Sequence, residues 1–92
     1  MAKIEINKAF TMDLDEVRAG MEKMAESLKS EHGMQYQWDT DDSISFKHKA
    51  GKGSLRIVGN ELQLSLKLSM LYAAMAPVVR SRINEWADEY IS

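Results

Sequence analysis

"MQYQWDTDDSISFKHKAGKGSLRIVGNELQLSLKL", residues 34–68, is the stretch that decides the fold. Met34, Tyr36 and Trp38 alternate with Gln35, Gln37 and Asp39. After the polar "DTDD" the alternation resumes, with Ile44, Phe46 and His48 set against Ser45 and Lys47. "AGKG" reads as the next turn, and Leu55 and Ile57 carry a third stretch. Gly59-Asn60 then turns the chain into Leu62, Leu64, Leu66 and Leu68. A period of two is that of a strand with one buried face. Turns this short join neighbours, so the four stretches are expected to form consecutive antiparallel hairpins.

Upstream, "KIEINKAF" alternates Ile4 and Ile6 with Lys3, Glu5 and Asn7, which predicts another half-buried strand. Between them the period changes. Leu14, Val17, Met21, Met24, Ala25 and Leu28 fall three or four apart and make one helical face. Asp13 suits the N-cap with Glu16 as its capping-box partner, and Gly33 suits a left-handed C-terminal stop. Downstream, Val79, Ile83, Trp86 and Tyr90 predict a helix from about Pro77 to Ile91, preceded by the apolar "MLYAAMA". The order β-α-β-β-β-β-α gives an α+β fold: an antiparallel sheet of about five strands, one face covered by two helices. The other face, with Lys3, Gln35, Lys47, Arg56, Ser65 and Lys67 among its residues, is polar enough for solvent.

Bulk properties narrow the class. A chain of 92 residues, 45% hydrophobic and 28% charged, is expected to be a single globular domain over 1–92. With no cysteine there is no disulfide framework and no thiolate metal site, which fits a reducing cytoplasm. "MAKIEINKAF" lacks the apolar run of a signal peptide, and no stretch is long and apolar enough for a transmembrane segment. The formal charge is −2 and the basic residues are dispersed along the chain, so no nucleic-acid partner is expected.

Candidate chemical motifs fail on their spacing. "DTDD" invites a calcium loop, but Ile44 stands where the glycine is required and Ala50 where the glutamate is required. "GKGS" invites a phosphate loop, but Phe46 and Gly53 break that pattern. His32 suits the last turn of its helix and His48 a strand end, neither with a second metal ligand at useful spacing. Asp15, Glu16, Glu22 and Glu26 are placed on the solvent side of the first helix, where carboxylates stay ionised and do no acid–base work. No catalytic, cofactor-binding or metal site is therefore expected, and no enzyme. Tyr36 and Trp38 share the covered face with Met34 and are expected to fill the core; lining a ligand cleft is the alternative.

In order, "I-E-I" at Ile4–Ile6, "L-D-E-V-R" at Leu14–Arg18, "G-M-Q-Y-Q-W" at Gly33–Trp38 and "D-S-I-S-F" at Asp42–Phe46 form a recognisable series. It continues through "G-S-L-R-I" at Gly53–Ile57, "L-Q-L-S-L-K-L" at Leu62–Leu68 and the Pro77-led last helix. Over nearly the full chain this series resembles a small bacterial family, the polyhydroxyalkanoic acid system proteins. That family is named for genes lying in granule-region clusters beside polyester synthases. It has no established activity and no defined catalytic residues, so the resemblance carries over no site. It implies a non-enzymatic accessory or interaction protein associated with polyester storage granules, or with the proteins that make them.

The rival from another class is a small helix-grip-like carrier, with a hydrophobic molecule held between sheet and C-terminal helix. "MLYAAMAPVV" bears on the choice, because it holds more apolar residues than one face of a short helix buries. If Tyr72, Met75 and Val79 follow the core stripe, Leu71 and Val78 share a different face. Leu71, Val78 and Met75 are the candidate partner-binding residues, for a granule surface, a polyester-synthesis protein or a second copy in a homodimer.

Overall fold

The computed structural model describes residues 2–91. Strand β1 (Ala2–Ala9) leads into helix α1 (Leu14–His32), followed by β2 (Gln35–Thr40), β3 (Ser43–His48), β4 (Gly51–Val58) and β5 (Glu61–Leu68). A 3-10 segment (Met70–Met75) then runs directly into α2 (Ala76–Tyr90). The five strands form one antiparallel sheet in the order β1-β5-β4-β3-β2. Three two-residue turns link β2 through β5, as their alternation requires, while α1 carries the chain from one edge of the sheet to the other.

The register aligns the apolar residues in rows across the strands. Ile6, Leu64, Leu55 and Ile44 face one another in succession, and the neighbouring row runs Ile4, Leu66, Gly53, Phe46 and Tyr36. On these rows sit Val17, Met21, Met24 and Leu28 of α1 and Val79, Ile83 and Trp86 of α2, all buried. Because the strand period is two, slipping any pairing by one residue would turn that strand's apolar set to water. The covered face thereby locks the whole register.

Gly33 ends α1 with φ of 69°, and the amides of Gly33 and Met34 donate to the carbonyls of Lys29 and Leu28 at 2.9 and 3.4 Å. That is the left-handed stop its sequence position predicts. At the other end the Asp13 backbone takes the N-cap position, but its side chain makes no capping hydrogen bond, so the capping box with Glu16 does not form.

"AGKG" also differs from expectation. Only Lys49 and Ala50 turn, and Gly51 and Gly53 lie inside β4. A Cβ on Gly51 would strike the Lys67 carbonyl, and one on Gly53 the Ser65 carbonyl and the Leu66 side chain. These glycines are there because β5 comes too close for any side chain.

Polar contacts fasten the outside of the fold. Arg18 of α1 reaches the β2–β3 turn, donating to the Asp41 carbonyl at 3.0 Å and to the Asp42 carboxylate at 2.8 Å. Arg82 of α2 grips Glu31 of α1 through two nitrogens, at 2.8 and 3.1 Å, and lies 5.1 Å from the centre of the Trp86 ring. Its hydrogen bonds hold the Glu31 carboxyl below the usual glutamate range.

Candidate functional site

Tyr36 and Trp38 lie on the covered face, as alternation places them, and Tyr36 packs against the core, but neither ring is buried in it as expected. β2 is an edge strand, and its register shifts between Trp38 and Thr40. The helices do not fully reach this edge, so Tyr36 is half-buried and Trp38 is 36% exposed. Both rings lean on α1 through polar atoms. The Tyr36 hydroxyl lies 2.8 Å from Glu22 Oε1 and 2.9 Å from Glu26 Oε1, and the Trp38 indole N–H donates to Glu22 Oε2 at 2.6 Å. Glu22 is thus half-buried and bonded, where its helical position suggests a free solvent-facing carboxylate. Burial first, and then the two carboxylates, push the Tyr36 phenol well above its ordinary range, so it stays protonated. The cluster works as a latch between α1 and β2.

The apolar surplus of "MLYAAMAPVV" is displayed at one end of the molecule. Val79 is buried and Tyr72 packs against the core, while Met70, Leu71, Met75 and Val78 are 79%, 90%, 46% and 66% exposed. The reason is local. A 3-10 turn stacks residues three apart, and it passes into the α-helix at Ala76. The core stripe therefore runs through Tyr72 and Val79, leaving Leu71 and Val78 on the outer side. Among the described residues, four of the seven large exposed hydrophobics lie within this segment, and scattered singles would need no explanation.

Beneath the same segment is a cavity of about 110 Å³, lined by Leu28, Met34, Leu68, Tyr72, Met75 and two imidazoles, His32 and His48. His48 Nδ1 accepts the Ala50 amide at 2.9 Å. His32 packs against Trp86, and its Nε2 is buried without a hydrogen-bond partner. The cavity is well below the roughly 300 Å³ where small-molecule sites begin. Neither Trp38 nor Tyr36 lines it, whereas Leu66 of β5 does; Leu62 and Leu64 are buried away from it.

The open face of the sheet holds an arrangement that linear reading missed. Lys3 faces Lys67, Lys67 faces Lys52, and Lys52 faces Lys47, so four lysines form one row across four strands. Ser65, Ser54 and Ser45 form the next row. Lys3 pairs with Glu5 at 2.9 Å, whereas Lys47, Lys52 and Lys67 make no ion pair among the described residues. Basic residues dispersed along the chain are therefore gathered in space. Placing the β3–β4 turn at Lys49-Ala50 would have exposed the row, since that turn sets 47 opposite 52; reading "AGKG" as the turn hides it.

Among the described residues, no three His, Asp or Glu side chains stand together in a way that could hold a metal ion. None of the helices described is long and apolar enough to cross a membrane. Residues 4–91 match the family described as "Putative polyhydroxyalkanoic acid system protein". The chain belongs to that family, and no curated protein matches it.

Proposed function

We propose that this member of the polyhydroxyalkanoic acid system family is a non-enzymatic accessory protein that docks on the storage granule. The single observation that carries this reading is the exposed apolar cluster of Met70, Leu71, Met75 and Val78. Large exposed side chains gathered in one short segment, Leu71, Met75 and Val78 among them, make the kind of apolar patch that marks an interaction surface. A polyester is an apolar aliphatic solid, and flexible thioethers from Met70 and Met75 adapt to such a surface without needing one fixed shape.

The test is Leu71→Asp, which places a charge on a side chain that is 90% exposed. Its circular dichroism spectrum and melting temperature should match wild type, because the core loses nothing. Its co-sedimentation with polyester granules should fall at least tenfold. An unchanged fold with unchanged sedimentation would remove the cluster from any docking role.

The carrier reading has one observation in its favour, the end cavity with its unpartnered His32 Nε2. Its volume of about 110 Å³ gives room for a few waters, any one of which would satisfy a buried imidazole, so no larger ligand is needed to explain it. The carrier reading is therefore second.

A further inference from the structure

The lysine row and the apolar cluster lie at the same end of the fold. Lys67 is followed by Leu68, where β5 ends, and Met70 and Leu71 come directly after. The Ser69 amide donates to the Ala50 carbonyl at 2.9 Å, tying the start of the 3-10 segment to the turn between Lys47 and Lys52. Strands stand about 4.8 Å apart, so the backbone positions of Lys47, Lys52 and Lys67 fall within about 10 Å of one another. Like charges directly opposite one another weaken a sheet, and among the described residues these three lysines make no ion pair; Glu5 on this face pairs with Lys3, and Asp39 accepts from Ser45. Beside them, Ser45, Ser54 and Ser65 border a shallow recess of about 590 Å³ lined also by the three lysines.

From this we propose that this end of the molecule binds a layer of anionic phospholipid. Leu71 and Val78 enter the acyl boundary while Lys47, Lys52 and Lys67 pair with headgroup phosphates, to which the Ser54 and Ser65 hydroxyls also donate; the Ser45 hydroxyl is taken by Asp39. Charge complementarity selects this occupant over a bare apolar surface, which leaves the lysines unpaired. The inference rests on the apolar cluster being the docking surface, as proposed above, and adds what coats the surface it meets. Surface binding of this kind combines buried apolar area with attraction to anionic lipid, each lysine near the surface strengthening it about fivefold.

Sedimentation of the full chain with vesicles tests the inference, using pure phosphatidylcholine, an equal mixture with phosphatidylglycerol, and bare polyester particles. The wild type should bind the mixed vesicles and bind pure phosphatidylcholine at least tenfold more weakly, with the preference shrinking as salt screens it. Lys47→Gln, Lys52→Gln and Lys67→Gln combined should lose about a hundredfold on mixed vesicles and almost nothing on bare polyester. Circular dichroism keeps folding separate from binding. Equal binding of the mixed vesicles by wild type and triple variant would overturn the inference, as would equally tight wild-type binding to soluble heparin. Polyester binding without vesicle binding would sink the inference and leave the granule reading standing. Vesicle binding without polyester binding would do the reverse.

Discussion

Leu55 and Lys52 lie on the same central strand, β4, yet they answer to different constraints. Leu55 faces Leu64 and Ile44, is fully buried, and is interchangeable only with another apolar residue of similar volume. Lys52 faces Lys67 and Lys47 on the open side, in an arrangement that sheet stability opposes. Packing chooses the residues of the covered face, and their alternation fixes the register. Once the register is fixed, the open face inherits a ready-made grid. What is placed on that grid costs little to vary, so a costly placement there points to function.

The sharpest way to break this comparison is to exchange the expected penalties. Leu55→Ala should cost about 2–5 kcal/mol, since it removes buried methyl groups and leaves a cavity among Leu64, Ile44 and the helices. Chemical denaturation should show a lower midpoint with an unchanged slope. A loss below about 1 kcal/mol would mean that the covered face is not close-packed at its centre.

A smaller effect is expected at Gly53, where the two faces are linked through strand spacing. Gly53→Ala should cost about 1–3 kcal/mol, because the new Cβ meets the Ser65 carbonyl and the strands must part. Thermal melting should register it as a fall of several degrees. A neutral result would show that β4 and β5 separate freely, and would weaken any function that relies on the aligned rows.

The smallest effect has the opposite sign. Lys52→Gln should raise stability by about 0.5 kcal/mol, or roughly 2–4 °C in melting temperature, by removing the middle charge of the row. The gain should shrink as salt is added. A loss of stability instead would mean that the row is held by contacts that stabilise the fold, and the contrast between faces would fail.

Much of this was legible beforehand. The order of elements, the one-sided sheet and the stop at Gly33 follow from changes of period and from the left-handed conformation that glycine takes. Trp38 shows where such reading ends. Alternation assigns a residue to a face, but cannot say that its strand is at the edge, where α1 reaches the ring with a carboxylate and leaves part of it in water. Gly51 and Gly53 misled for a related reason: paired glycines mark turns, but they also mark strands pressed closely together, and only the neighbour distinguishes the two. That displacement of two residues concealed the lysine row, the part of the candidate surface that composition had argued against. Leu71 and Val78 were legible because their surplus is a matter of counting, independent of any pairing.

The strand order carries a consequence for how the molecule is made. β1 leaves the ribosome first and pairs with β5, the strand synthesised last. The other three pairings close over two-residue turns, whereas β1 with β5 must close a loop that contains α1 and every other strand. Closing a longer loop costs more chain entropy, and contacts distant in sequence form late. In a partly folded chain β5 is consequently an open edge, with Leu62, Leu64, Leu66 and Leu68 facing an unfinished core. An open edge beside exposed leucines is a template for pairing with another nascent copy. The interval between synthesis of β5 and arrival of β1 is thus the window in which this small protein is most exposed to aggregation.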